Sequence, residues 1–468
     1  MKCSKRVRNY IRNEMKEVMH TTLNPEGPGV VRIHLVPPKD PEATGIASVA
    51  IINGQDLIPV NLSWAILLTE FIKEVNKYHG RAITEADSAQ IMSRVQKNMR
   101  RIYPLLPGRI LKRDLYVILR TFTQIAKGEV PDEKIDYIRI GDYAPNMRAP
   151  HRMDLMVSAM TKGGKWNCNQ QCVHCYAAGQ ELAEEKELST EEWKQIIDRC
   201  RDAWIPQVTF TGGEPTMRDD LCELIAHASW FVTRLNTNGV RLSTELCRKL
   251  RQASLDSVQI TFYSDDAKIH NRLVGADQYE QTVAGIENAL AQGLGVSVNT
   301  PLCTLNRDYV KTLQFLHEKG VLYVTCSGLI QTGNAREEAS EELQLSRDEI
   351  RQILRDAVAY CHANGMEISF TSPGRIESAF FEELGIATPT CGACLSNMAI
   401  TPGGNVVPCQ SWLSEKTLGN MLKDDWDQIW NGDECIDRRA WSAKMLGRCP
   451  LSCKDGSEGK GGAGDAES

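Results

Sequence analysis

Trp166-Asn-Cys-Asn-Gln-Gln-Cys-Val-His-Cys-Tyr176 is the stretch on which the reading of this chain turns. It sets Cys168, Cys172 and Cys175 at CxxxCxxC spacing shortly after the apolar run at 154–158, with no fourth cysteine nearby. Iron–sulfur clusters ordinarily take four thiolates, so three in one loop leave one iron without a protein ligand, and an open metal position is where chemistry happens. A zinc knuckle with His174 as fourth ligand is the competing reading, but zinc sites usually arrive as separated ligand pairs. His174, lying between two cysteines, is expected to face solvent or to stand behind the ligands.

Outward from this loop, short apolar runs alternate with amphipathic segments. Strands are expected at 154–158, 207–211, 231–236, 257–262, 295–300 and 321–326, and helices at 190–203, 220–229, 243–253, 278–292, 308–319 and 346–364. Repeated strand-then-helix implies a parallel sheet with right-handed crossovers. Six units suit an α/β fold built as an open, partial (β/α)6 TIM-like barrel over 151–370, with functional residues at the carboxyl ends of its strands. Residues 1–150 hold no cysteine except Cys3 and run to a linker-like stretch around Pro145 and Pro150. Strands at 30–36 and 46–52 and helices at 64–78, 84–102 and 113–126 suggest an N-terminal α+β domain, winged-helix-like in pattern. A cysteine-rich extension at 371–455 looks metal-stapled, and the Gly-, Ser- and acid-rich 456–468 is expected to be disordered.

The 468 residues have ordinary hydrophobic (42%) and charged (24%) content, which excludes a fibrous or wholly disordered class. A net charge of -6 gives no electrostatic reason to expect a nucleic-acid partner. Lys2, Lys5, Arg6, Arg8, Arg12 and Lys16 precede no apolar stretch of signal-peptide type, and no run reaches the roughly eighteen apolar residues of a membrane span. A cytoplasmic protein without a membrane partner is expected, and sixteen cysteines in a reducing compartment then point to metal rather than disulfides. Cys200, Cys222, Cys247, Cys303, Cys326 and Cys361 stand singly within predicted elements and read as small buried hydrophobes.

The cysteine loop, with the aromatic Tyr176 directly after its third cysteine, resembles that of the radical S-adenosylmethionine (SAM) superfamily. The resemblance implies a 4Fe-4S cluster on Cys168, Cys172 and Cys175 whose fourth iron is chelated by the amino and carboxylate groups of SAM. One electron then yields methionine and a 5′-deoxyadenosyl radical that abstracts hydrogen. Thr211-Gly-Gly-Glu-Pro215 resembles the family's GGE motif, in which Gly212, Gly213 and Glu214 would receive the ammonium group. Leu235-Asn-Thr-Asn-Gly239 and Gln259-Ile-Thr-Phe-Tyr263 resemble its ribose-binding strand ends, implying contacts from Asn236, Thr237, Asn238 and Thr261. Turn chemistry is the competing reading, Asn-Gly being a common turn pair, and for Thr261 alone the two readings weigh about equally. Asn299 and the segment 329–333 resemble the adenine and ribose contacts more loosely. Many relatives read Ser-Leu-Asp-Gly where this chain has Thr261-Phe-Tyr-Ser264.

Cys394 to Cys409 resembles the CxxxxxxxxxGxxxxC opening of the SPASM extension, with Leu418-Gly-Asn-Met421 and Gln428-Ile-Trp430 following as in that family. A full extension carries a further CxxC before the CxxxC of Cys449 and Cys453, but Trp441 and Lys444 occupy those positions. The resemblance therefore implies one auxiliary 4Fe-4S cluster in a shortened, twitch-like module. Its ligands would be Cys391, Cys394, Cys409 and Cys453, with Cys449 as the alternative and Cys435 as a bystander; structural zinc is the other occupant to weigh. Relatives of this kind commonly modify peptides or proteins, so the expected partners are a peptide or protein substrate and a ferredoxin or flavodoxin electron donor. A tetrapyrrole substrate and a noncatalytic iron–sulfur or zinc protein are the alternatives.

Overall fold

The computed structural model describes residues 5–23, 31–37, 48–53, 56–78, 83–126, 131–132, 144, 147–336, 342–413, 416–444, 449 and 451; Cys3, Pro145, Cys453 and the 456–468 tail lie outside the described residues. The N-terminal part opens with α1 (Lys5–Glu14) and an antiparallel sheet of β1 (Met19–Leu23), β2 (Val31–Val36), β3 (Ser48–Ile52) and β4 (Asp56–Val60), in that spatial order. Helices α2 (Leu62–Val75), α3 (Glu85–Ile102) and α4 (Gly108–Ala126) follow. The sequence reading anticipated only two of these strands. The other two are marked weakly, because Met-His-Thr-Thr-Leu carries little apolar alternation and Asp56–Val60 contains Pro59, which is poorly suited to a strand interior.

The period-two alternation of β3 joins two cores. Ala50 and Ile52 pack with Ile33, Leu35 and the helices, whereas Val49 and Ile51 enter the core of the barrel. Polar contacts reinforce the seam. The Arg32 guanidinium donates through Nε to Asp256 at 2.7 Å, His34 Nε2 lies 3.3 Å from the Trp230 carbonyl, and Asp256 also accepts from the Thr233 amide at 2.8 Å. Complete burial pushes His34 well below its ordinary titration range, so it stays neutral.

The barrel begins with β5 (Arg152–Ser158) and a small hairpin, β6 (Thr161–Lys162) and β7 (Lys165–Trp166). Strand and helix then alternate: α5 (Thr190–Asp202), β8 (Gln207–Gly212), α6 (Leu221–His227), β9 (Val232–Thr237), α7 (Thr244–Gln252) and β10 (Ser257–Thr261). Next come α8 (Ala267–Val274), α9 (Tyr279–Ala291), β11 (Gly295–Leu302), α10 (Tyr309–Glu318), β12 (Tyr323–Gly328), α11 (Arg347–Ala363) and β13 (Glu367–Phe370). Ser189 with Glu192 and Ser346 with Glu349 form capping boxes that fix where two of the helices start. The remainder comprises α12 (Ser378–Leu384), β14 (Asn397–Ile400), β15 (Asn405–Val407), β16 (Gly419–Asn420), α13 (Trp426–Trp430) and α14 (Asp433–Ala443).

The six expected strands all form and pair in parallel, and β13 adds a seventh after β12. At the other edge β14 lies parallel to β5, so the C-terminal hairpin extends the barrel's own sheet. Both additions are four-residue strands, too short for periodicity to reveal. Along the strands, Val208, Phe210, Leu235, Val258, Ile260, Val298 and Val324 face the helices. Alternate positions are polar and align in rows across the opposite face: Asp154, Thr209, Arg234 and Ser257 in one, and Thr261, Asn299, Thr325 and Ser369 in another. An open barrel with a polar inner face has room for a polar ligand. Among the described residues no helix is long and apolar enough to cross a membrane.

Arg32→Ala is expected to destabilise the protein by about 3 kcal/mol, because it leaves the largely buried Asp256 carboxylate without its cation. Urea titration followed by tryptophan fluorescence checks this; a loss below about 0.5 kcal/mol, the ordinary surface value, would show that the seam does not depend on this pair.

Candidate functional site

The cysteine loop leaves β7 at the carboxyl end of the barrel strands and is tied down mainly through backbone groups. The Trp166 indole donates to Gln170 O at 2.7 Å, and the amides of Gln171 and Val173 donate to Val274 O and Leu273 O at 2.9 and 3.0 Å. Asn334 closes the other side, its amide donating to Cys175 O at 3.0 Å and its side chain to Cys172 O at 3.1 Å. Two glycines allow this approach. A Cβ on Gly275 (φ 66°) would stand 2.4 Å from Gln171 O, and one on Gly333 (φ 55°) 2.3 Å from Cys175 O.

Cys168, Cys172 and Cys175 are brought together and remain free thiols, each partly exposed. Burial pushes the Cys168 thiol up to about 12, with the charges of Glu214 and Cys175 adding to it. Cys172 is raised by burial and then by the other two thiols, and Cys175 by burial. For three such neighbouring thiols to ionise together they need a cationic partner, which an iron–sulfur cluster would provide. Of the two places expected for His174, solvent-facing or behind the ligands, it does not take the first: it is buried, its Nε2 lies 3.1 Å from the Tyr263 hydroxyl, and burial lowers it to about 4.

Beside the loop, Glu214 is buried at the crevice between β8 and β9 and accepts four hydrogen bonds. Oε1 takes the Thr216 amide (3.0 Å), the Thr216 hydroxyl (2.6 Å) and the Thr237 hydroxyl (2.7 Å), and Oε2 takes the Asn238 amide (2.8 Å). Burial still pushes this carboxyl up, against those hydrogen bonds. Gly212 (φ 136°) is required, since a Cβ there would lie 2.2 Å from Ser158 O, and the Gly213 amide donates to the same oxygen at 2.7 Å. Asn238 Nδ2 donates to Asn169 Oδ1 at 2.6 Å, within the cysteine loop. Thr237 and Asn238 are thus engaged in holding Glu214 and the loop. Asn236, Thr261 and Asn299 instead lie on the inner face, where Asn236 Oδ1 is buried without a partner among the described residues and Asn299 Oδ1 accepts from Thr325 at 2.8 Å. Tyr176 is raised by burial and then by nearby Cys175, Asp154 and Cys409; its hydroxyl pairs with Thr211.

The C-terminal cysteines form two groups. Cys409, pushed up to about 12 chiefly by burial, also senses Cys449 and Cys391. Cys394, with φ 54°, instead hydrogen-bonds Cys435 on α14; this bond raises Cys394 and lowers Cys435, which also accepts from Arg439 Nη1 at 3.5 Å. Ser442, two turns beyond Cys435, donates to Ala393 O at 2.7 Å, so one face of α14 covers the Cys391–Cys394 turn. Sequence reasoning did not single out Tyr263, Asn334 or Gly275. Only Gly275 carried a local signal, a glycine just after a helical pattern.

Residues 167–316 match the family model described as the Radical SAM superfamily, and residues 391–455 match SPASM, an iron-sulfur cluster-binding domain. The chain is 32% identical to Fe-coproporphyrin III synthase of Methanosarcina barkeri over 40% of its own length, and that match spans about half (48%) of the relative. It is 26% identical to mycofactocin maturase MftC of Mycolicibacterium smegmatis, over 61% of this chain and 72% of that one. In fold it resembles Streptococcus suis SuiB bound to precursor peptide SuiA, with a TM-score of 0.56 at 14% identity, covering 87% of this chain and 92% of the other.

Gly275→Ala is expected to displace the Gln171 carbonyl and loosen the loop, lowering iron bound to the purified protein by about half or more. Anaerobic iron determination checks this; undiminished iron would show that the loop tolerates the clash.

Proposed function

We propose, for a chain that belongs to the radical SAM superfamily and ends in a SPASM domain, that it cleaves SAM reductively in order to modify a peptide or protein substrate. That the chain is an enzyme follows from its family and from relatives named as maturase and synthase. The two domains imply 4Fe-4S clusters and SAM as cofactors.

The observation that carries the proposal is the convergence of three clustered cysteine thiols with the polar inner face of one parallel sheet. Cys168, Cys172 and Cys175 would hold the cluster, which would supply an iron open to SAM and, once reduced, the electron that cleaves SAM to methionine and a 5′-deoxyadenosyl radical. Around it, Glu214 sets the edge where the SAM ammonium group is received, and Gly212 and Gly213 let the backbone come close. Thr237 and Asn238 hold Glu214 in place, while Asn236, Thr261 and Asn299 offer hydroxyl and amide groups to the nucleoside. Tyr176 seals the loop on the side of Cys409. The auxiliary cluster would be held by Cys391 and Cys409, by Cys394 once it gives up its hydrogen bond to Cys435, and by a fourth thiolate from Cys449 or Cys453; the nearness of Cys449 to Cys409 supports the former. Electrons arrive from a ferredoxin or flavodoxin in the cytoplasm, where thiols are kept reduced.

Support for a peptide substrate comes from the N-terminal sheet, whose outer strands β1 and β4 offer edges for strand addition, and from the fold likeness to a peptide-bound enzyme, which is an analogy of fold. A tetrapyrrole substrate is the second reading, favoured by the relatives named as Fe-coproporphyrin III synthase and AdoMet-dependent heme synthase.

Cys172→Ala is expected to abolish 5′-deoxyadenosine formation from SAM and dithionite, as read by chromatography; product at the wild-type level would overturn the assignment. Cys409→Ala is expected to remove about four iron atoms per chain and leave the first cluster's SAM cleavage measurable. Full iron retention in that variant would exclude Cys409 as a ligand.

A further inference from the structure

Deep in the barrel, one pleat below Asn236, β9 carries Arg234. At roughly 3.3 Å per residue it lies about 10 Å beneath the strand end at Thr237. Its guanidinium is deeply buried, yet the residue keeps part of its surface accessible on the polar inner face. A cation in such a place ordinarily has a carboxylate partner. Asp154, in the same row, is the neighbouring anion, but both its oxygens are taken by Arg152, at 2.8 Å from Nε and 3.2 Å from Nη2. Arg234 itself makes one long contact, 3.5 Å from Nε to Ser257 Oγ, and stands near a second cation, Arg152.

A neighbour is also incompletely engaged. Thr209, beside Arg234 on β8, buries a hydroxyl, able to donate, without a partner among the described residues. Counting Arg152 from the row below, the two guanidinium groups of Arg152 and Arg234 face the single carboxylate of Asp154, which leaves one positive charge to be matched.

We infer that Arg234, with Thr209, forms a receptor at the base of the barrel for a carboxylate of the substrate. A planar guanidinium suits a planar carboxylate, which it can bind through two parallel hydrogen bonds, and one unmatched positive charge suits a monoanion better than a phosphate. Thr209 donates its hydroxyl to the same group. Arg234 therefore selects substrates that end in, or project, a carboxylate, and holds them with that group inward and the reacting carbon toward the cysteine loop. This deepens the proposed reading, since it rests on the barrel being the substrate chamber; the carboxylate belongs either to a peptide or to a tetrapyrrole propionate.

The test uses the anaerobically purified holoenzyme and saturation-transfer NMR with benzoate and benzamide as probes. Wild type is expected to favour benzoate by about tenfold or more, as for a charge-assisted pair. Arg234→Gln should lose that preference, and Arg234→Lys, which keeps the charge, should retain a measurable part of it. Both variants should still form 5′-deoxyadenosine from SAM and dithionite, showing that the site is folded and loaded. Equal binding of the two probes to wild type, or a benzoate preference that survives in Arg234→Gln, overturns the receptor. Displacement of benzoate by N-acetyl-glycyl-leucine but not by its amide assigns the carboxylate to a peptide. Displacement by coproporphyrin III but not by its tetramethyl ester keeps the receptor and overturns the peptide reading. Absence of 5′-deoxyadenosine from wild type sinks the enzymatic reading separately, whatever the probes show.

Discussion

Holding three thiols side by side inside a folded protein is electrostatically unfavourable, and the arrangement around the cysteine loop answers that difficulty. Each thiol of Cys168, Cys172 and Cys175 is driven toward its protonated form by burial, and the charges of its neighbours push two of them further. The loop nevertheless keeps its shape because backbone donors and acceptors on both flanks are matched, at Val274 and Leu273 on one side and Asn334 on the other. Metal coordination would replace the protons and turn an unfavourable cluster of thiols into a favourable one. Glycines at 275 and 333 belong to the same solution, since any larger residue would force the loop away from its supports.

Much of this was legible in the sequence, for reasons that can be located. The six strands from 152 to 328 and the helices between them are long enough for period-two and period-3.6 patterns to declare themselves, and most of their observed ends differ from the expected ones by one or two residues. The cysteine loop was readable because ligand spacing is local. Less local features were hidden. Strands β13 and β14 are too short to show periodicity, and nothing near 397 announces that it will pair with 152. The burial of His174 depends on Tyr263, far along the chain, and the pairing of Cys394 with Cys435 depends on how α14 settles. Thr237 and Asn238 looked like ligand-binding residues by type, whereas their hydrogen bonds go to Glu214 and Asn169.

The C-terminal hairpin extends the barrel sheet directly, with Asn397–Ile400 running beside Arg152–Leu155 in β5. Rigid backbone pairing therefore links the two cysteine regions, and Tyr176 and Asp154 lie between Cys175 and Cys409. Four consecutive strands also share the inner row that contains Arg234, so its position is set by sheet register instead of by a loop.

The N-terminal sheet is seated on the amino ends of β9 and β10, through Ser229, Trp230 and Asp256, while the cysteine loop stands at their carboxyl ends. A polypeptide anchored on that sheet would have to climb the barrel wall before entering the chamber, a path of about 17 Å or more for strands of five or six residues. For such a polypeptide, tethering at one pole and reaction at the other would make a molecular ruler, in which the residue that reacts is decided by how far along the chain it lies from the anchored segment.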